Sequence, residues 1–408
     1  MGIHLVSYRY LTSSKWFTAE RVSLYTKLLL FYYITVYLIW LYFTFDSLGP
    51  NKAILGADFI SFYAAGQLAM EGNAAQAYNV LVHKGVELEI ISRSDIYFEL
   101  LSFSYPPIFL LLLAPLSKLP FVWAYFLFQL TTLGLFLYFI FRITESKKSI
   151  IIALAFPAVM LNFNFGQNAY LTAGLLAGFL FFFEKKPLIS GFFLGCLTFK
   201  PHLGVLIPIV LIISGQWRVF FSAMVVTIIL FLCSVFWFGA ESWLAFWDGK
   251  DVPQRVLEDG VVPYSVMQSF FTGMRSLGAS LFWSYTLHLL FAIITSFFIL
   301  KLWILKIDYR LKAASLAIGT LILSPYILHY DLTILAVVLA FVVRYCQDKN
   351  FPKGMINLLS LIWLYPLFIK FLNSTFLIPW TPIILLLILL KIVHMAKNEL
   401  YLEKQNVV

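Results

Sequence analysis

The sequence predicts an all-α polytopic membrane protein, a single transmembrane domain over 1–408 with about eleven to thirteen membrane-crossing helices. Three observations predict it. Hydrophobic residues make up 61% of the 408 and charged residues only 12%, about half the charged share of a soluble domain. Apolar runs near the length of about twenty residues that spans the hydrocarbon core recur from end to end. The runs are continuous rather than alternating, which argues helices against an outer-membrane barrel.

Taken in order, the first run begins near Leu28, behind Arg9, Lys15, Arg21 and Lys27. No small-residue cleavage site follows it, so 27–45 reads as a signal-anchor running outward. The bases hold 1–26 in the cytoplasm. Gly2 invites a myristoylation reading, but Val6 stands where that motif wants Ser or Thr. The stretch 47–104 is the first external loop. Asp58, Glu71, Glu87, Glu89, Asp95 and Glu99 outnumber Lys52, Lys84 and Arg93 there, which fits the extracytoplasmic side. Within it, 59–70 and 78–91 read as short membrane-surface helices on either side of Glu71-Gly72-Asn73.

Tyr105-Pro106-Pro107 opens the next span, because proline is tolerated in a first helical turn. A clear span at 121–143 follows. The shorter runs 150–165 and 169–183 flank Asn162, Asn164, Gln167 and Asn168, and 188–213 is interrupted by Lys200-Pro201-His202. After 219–238 comes a second external loop, 239–266, with Glu241, Asp248, Asp251, Glu258 and Asp259. Spans near 279–300, 311–328, 332–343, 355–371 and 379–395 complete the chain. The basic loops 301–312 and 344–353 and the tail 396–408 belong to the cytoplasm. One conflict stays open. Simple alternation puts Lys147-Lys148 and Lys185-Lys186 outside, against the positive-inside rule. A break at Lys200-Pro201 restores the rule as far as Arg218, but requires a different route through 105–141.

The net charge of +9 sits in short loops. It reads as a topology signal facing anionic lipid, and no nucleic-acid partner is expected. Cys196, Cys233 and Cys346 form no Cys-x-x-Cys pair and imply neither a disulfide framework nor a metal site. There is no Walker glycine loop, no His-Glu-x-x-His and no Asp-x-Asp. No cofactor or metal is therefore required, although a divalent cation near the acidic loops stays open. With no room for a soluble domain, substrate arrives through the membrane or from its outer face.

Three constellations carry candidate chemistry. Asp58 precedes a short helix, where position alone favours an N-cap; the functional reading is a carboxylate fixed at the membrane surface, facing a cavity and acting as a general base. Lys200, followed by Pro201 and His202, is either a helix-end lysine or the partner of an anion in a polar pocket that includes Gln167 and Asn168. His329 and Asp331 close the run Ser324-Pro325-Tyr326-Ile327-Leu328-His329-Tyr330-Asp331. They suit phosphate binding or proton relay, although residue type alone favours an ordinary extracytoplasmic turn.

These pieces resemble glycosyltransferase family 87, a group of the polytopic GT-C class. Ala57-Asp58-Phe59 through Gly66, Glu71-Gly72-Asn73 and Ala77-Tyr78-Asn79 resemble the family's first external loop. Tyr105-Pro106-Pro107 with Pro115 through Pro120, Gln167-Asn168, Gly191 through Lys200-Pro201, and Ser324-Pro325 with His329-Tyr330-Asp331 follow in the family's order. The segment Ser265 through Gly273 is similar to its Asn-x-Ser-x-x-Gly element, with Gln268 where Asn is usual. The resemblance implies a GT-C-like bundle in the plasma membrane that moves a hexose, often mannose, from a polyprenyl-phosphate donor to a lipid or glycan acceptor. Transfer would occur on the outer face with inversion. It implies Asp58 as base, Lys200, His329 and Arg275 at the donor phosphate, and Tyr63, Tyr105, Gln167, Asn168, His202 and Asp331 around the sugar and acceptor. Two alternatives stand beside it: a transporter or glycan flippase, disfavoured by the lack of internal repeats, and an O-antigen polymerase or ligase, whose large loop comes late in the chain.

Overall fold

A computed structural model describes residues 18–45, 56–91, 103–349, 351–376 and 380–405. Residues 1–17, with Gly2 and Val6, and the 46–55 and 92–102 parts of the first loop lie outside the described residues. In chain order the helices are α1 (Ala19–Phe45), α2 (Ala57–Met70), α3 (Val80–Ile91), α4 (Leu110–Leu116), α5 (Phe121–Thr144), α6 (Lys148–Leu154), α7 (Pro157–Phe165), α8 (Ala169–Phe182), α9 (Pro187–Cys196), α10 (Ile207–Ile213), α11 (Trp217–Phe238), α12 (Ala240–Asp248), α13 (Asp251–Glu258), α14 (Phe270–Ser276), α15 (Leu281–Ile304), α16 (Tyr309–Leu323), α17 (Ile334–Lys349), α18 (Met355–Phe376) and α19 (Trp380–Gln405). Among the described residues the one extended pairing is a bridge between Met267 and Leu328.

The expected polytopic helix bundle is what the chain forms. Among the described residues, seven helices are long and apolar enough to cross a membrane, or eight if α6 and α7, bent by 54°, form one span. Four shorter apolar helical segments lie within 107–116, 169–182, 187–199 and 201–213, so the candidate spans among the described residues number seven or eight against the expected eleven to thirteen.

Ion pairs and buried hydroxyls sort the loops onto two ends. Arg344 bonds Glu145 at 2.9 Å, Arg310 pairs with Asp308 and Asp348, and Tyr309 donates to the Leu180 carbonyl at 2.6 Å. Glu184 lies in the field of Lys312 and Asp308. The loops carrying Lys147-Lys148 and Lys185-Lys186 therefore share one end with those at 305–312 and 344–349. Of the two routes the sequence leaves open, the structure takes the broken one. The 188–213 run splits into α9, two 3-10 turns meeting at Lys200, and α10. The 105–141 stretch makes one short helix, α4, and one long helix, α5. No full span starts at Tyr105, because the helix stops at Leu116 and the turn through Leu119 leads to Pro120, the N-cap of α5.

Close glycine contacts pack α9, the helix leading to the break at Lys200, against α11. A Cβ on Gly191 would stand 2.6 Å from the Val219 carbonyl, and one on Gly195 would stand 2.6 Å from the Val226 side chain. Small residues four apart thus let α9 lie directly on α11. Depth follows from length. α8 and α16 have 14 and 15 residues, whereas α5 and α15 have 24. At about 1.5 Å per residue, helices leaving the same charged end differ in reach by roughly 15 Å. The short ones finish in a recess, which α2, α4 and the 239–280 segment cover.

Both expected short helices of the first loop are present, and they differ. α2 is apolar around its circumference and mostly buried, as a helix without a polar face must be. Its Gly66 admits the Leu113 carbonyl of α4, which a Cβ would approach to 2.6 Å. α3 leaves Val80, Leu81 and Val82 exposed.

Candidate functional site

Asp58 lies in the first turn of α2, but it is not the cap. Gly56, left-handed at φ 62, holds the N-cap position. The Asp58 carboxylate instead accepts a bond from Gln167 Nε2 at 2.9 Å. Two glycines allow this meeting. A Cβ on Gly166, at φ +74, would stand 2.7 Å from Phe59 Cβ and 3.0 Å from Gly56 Cα. Only a bare backbone at the α7–α8 turn can come so near the start of α2.

A chain of amides fixes Gln167. Gln129, fully buried within α5, donates to the Gln167 carbonyl at 3.0 Å and accepts from Asn162 Nδ2 at 3.1 Å. Asn162 Oδ1 takes the Ala169 N–H at 2.8 Å, and Gln167 Oε1 takes the Asn168 N–H at 3.2 Å. Such a network holds geometry because every buried polar partner is costly to lose. Burial raises the Asp58 carboxyl to about 6, with the Gln167 bond pulling the other way. The group is thus ionised at neutral pH yet basic enough to take a proton.

Across the recess, Lys200 Nζ bonds Asp331 Oδ1 at 2.8 Å, with both side chains buried. Asp331 Oδ2 also accepts the Leu328 N–H at 3.0 Å, which anchors the 3-10 turn His329–Thr333. Residues 131 apart in sequence meet because the α9–α10 apex and the α16–α17 turn end at the same depth. Tyr105, Tyr326 and Tyr330 each lie within the field of both Asp58 and Asp331. The two carboxylates therefore face one tyrosine-lined chamber. Burial pushes the Tyr105 and Tyr326 phenols well up, so they act as neutral donors. Tyr105 also stands 3.5 Å from Gln167 Oε1 and stacks near Phe199.

The structure brings together Asp58, Gln167, Asn168, Tyr105, Lys200, Asp331 and His202, the last lying in the field of the Lys200–Asp331 pair. Asn168 is fully buried, its amide interacts with the Tyr105 phenol, and neither amide atom makes a full hydrogen bond, which leaves it capacity for a ligand. His329 sits edge-on to Phe165 at 5.1 Å, its Nδ1 buried and without a partner. Two expected residues are tied elsewhere. Tyr63 donates to the Leu119 carbonyl at 2.7 Å. Arg275 is held by the Ala279 carbonyl at 2.8 Å, the Glu258 carbonyl at 3.3 Å and the Tyr264 hydroxyl at 3.3 Å.

Sequence reasoning does not select Gln129, Tyr326 or Tyr330. The available signal for Gln129 is a lone amide in a 24-residue apolar helix. The tyrosines belong to a chain with 22 of them and carry no distinguishing pattern. Among the described residues no group of three or more His, Cys, Asp or Glu side chains gathers as metal ligands.

No curated protein and no solved structure matches the chain. Residues 103–325, more than half of the chain, match the sequence model of glycosyltransferase family 87. That segment carries Tyr105, Gln167, Lys200, His202 and Arg275, while Asp58 and the His329–Asp331 turn flank it. The chain belongs to glycosyltransferase family 87, whose members are membrane glycosyltransferases.

Proposed function

We propose that the protein transfers a hexose, mannose or a similar sugar, from a polyprenyl-phosphate donor to a lipid or glycan acceptor at the extracytoplasmic face of the plasma membrane, with inversion and with Asp58 as general base. The observation that carries the reading is the chamber itself. A buried carboxylate raised to about 6 and aimed by Gln167 faces a lysine-bearing wall across three tyrosines. In the proposed step the acceptor hydroxyl oxygen attacks the anomeric carbon while its proton passes to Asp58. The bond from that carbon to the phosphate oxygen breaks, and polyprenyl phosphate leaves with the electron pair. A phosphate leaving group needs little acid help, whereas an alcohol nucleophile needs a base. Tyr105, Asn168, His202 and Asp331 line the sugar and acceptor side. Lys200, kept in place by Asp331, and His329 stand at the phosphate end.

The proposed sidedness, with both termini cytoplasmic and the chamber outside, is supported by the lysine-bearing loops gathering at the end opposite the chamber. The single domain over 1–408 and the GT-C-like architecture belong to the same proposal. Family membership removes the ground for a transporter or an O-antigen polymerase. The test is sugar transfer in proteoliposomes from polyprenyl-phosphate-mannose to a panel of lipid acceptors. Transfer by the wild type but not by Asp58→Asn supports the proposal, and equal rates from both would return Asp58 to a structural role.

A further inference from the structure

The Lys200–Asp331 pair leaves a charge problem. A donor phosphate brings negative charge, but the Lys200 ammonium is already matched at 2.8 Å by a buried carboxylate. A phosphate approaching it meets a nearly neutral pair whose acid repels it. Another cation lies on the helix that packs against the His329–Thr333 turn. Lys370 lies in α18, three residues before the end of the candidate span Met355–Asn373, and its side chain is exposed. Among the described residues it makes no ion pair.

One turn along α18, Asn373 Nδ2 donates to the Ser265 carbonyl at 3.0 Å, and the adjacent Val266 carbonyl takes the His329 N–H at 3.2 Å. That shared strand of backbone sets α18 against the His329–Thr333 turn, and the His329 ring lies in the field of Lys370. The imidazole Nδ1 there is buried without a partner. A lysine near the end of an apolar span is costly unless it reaches water, a headgroup or an anion. A phosphate at that depth would give both groups a partner.

We infer that Lys370 and His329 form the subsite for the phosphate of the lipid-linked donor, an inference that rests on the donor class proposed above. Lys370 supplies the unmatched charge at headgroup level, His329 donates from the chamber side, and the Lys200–Asp331 pair lies inward of them, Lys200 toward the phosphate and Asp331 toward the sugar. The transferred group then lies between this subsite and Asp58. Lys370 is a binding residue in this arrangement, not the base.

The experiment is a titration of the purified full-length chain with decaprenyl phosphate, and separately with phosphatidylglycerol, followed by intrinsic tryptophan fluorescence. Wild type, Lys370→Ala and Lys370→Arg are compared at equal thermal stability. The expected result is an affinity for decaprenyl phosphate about tenfold or more weaker in Lys370→Ala, largely restored by Arg, with little change for phosphatidylglycerol. In the transfer assay, donor KM rises in Lys370→Ala while acceptor KM does not. Equal decaprenyl phosphate affinity in wild type and Lys370→Ala, or no binding by the wild type, overturns the subsite. An equal loss for phosphatidylglycerol overturns its assignment to the donor. A Lys370-dependent affinity without any sugar transfer sinks the proposed reaction and leaves the phosphate subsite standing.

Discussion

Replacing Asp58 by Asn should make the protein more stable while removing its activity. Burial raises the Asp58 carboxyl from 3.8 to about 6, a shift of roughly two units at about 1.4 kcal/mol each. Because the folded value lies above the unfolded one, the ionised form is less stable in the folded protein. The penalty is absent below the unfolded value near 3.8, grows between there and about 6, and is complete above it. At neutral pH it amounts to about 3 kcal/mol. An opposing effect exists, since a carboxylate in the first turn of a helix gains from the dipole, but typically by only about 0.3–1 kcal/mol. The amide introduced by the substitution would keep an oxygen for Gln167 Nε2 and lose the charge. The assay is thermal unfolding in detergent across a pH range of about 4 to 8. The variant's advantage should be small at the acidic end, rise toward a pH of about 6 and level off above it. A variant that is less stable than wild type at a pH of about 7.5, or an advantage independent of pH, would refute the account of Asp58 as a desolvated carboxylate.

Other consequences follow from the same geometry. With Asp58 as base, kcat/KM for transfer should fall about tenfold for each pH unit below about 6; a profile flat to a pH of about 5 would contradict it. Gly166→Ala forces a Cβ to 2.7 Å from Phe59 at a left-handed φ. It should cost about 1–3 kcal/mol of stability and lower kcat more than it changes donor KM, because Asp58 and Gln167 are pushed apart; wild-type kinetics would deny the positioning role. Lys200→Met leaves Asp331 buried without its partner and should cost about 3–5 kcal/mol. The double variant Lys200→Met, Asp331→Leu should regain most of that loss without regaining transfer, and melting curves with rate measurements decide both parts. Gln129→Leu removes two buried bonds that hold the α7–α8 turn. It should lower kcat with the acidic limb of the pH profile displaced, whereas a purely structural amide would leave that limb in place.

The bundle was legible because continuous apolar runs leave a lipid-facing chain no alternative to helix. The break at Lys200-Pro201 was legible for a local reason, since a residue before proline resists the helical conformation. What the sequence does not show is length relative to neighbours. The stretch after Tyr105 is apolar enough for a span, but it ends as α4 at Leu116 and packs against α2. Asp58 as a cap was a sound local reading, yet tertiary packing overrode it. Gly56 took the cap and the Gly166 turn brought Gln167 to the carboxylate. The pairing of Lys200 with Asp331 and the sharing of three tyrosines by Asp58 and Asp331 depend on helix ends reaching a common depth, which no local pattern encodes. The family resemblance alone places Arg275 at the donor phosphate, and its engagement by Glu258, Tyr264 and Ala279 appears only when the second polar loop is folded.

The most direct test of the central claim is sugar transfer from polyprenyl-phosphate-mannose and related hexose donors by wild type and Asp58→Asn in the same proteoliposomes, with product anomeric configuration read by NMR. The account predicts product of inverted configuration from the wild type and a loss of rate of about a hundredfold or more in a variant at least as stable. Retained configuration, or equal rates in the two proteins, would contradict it.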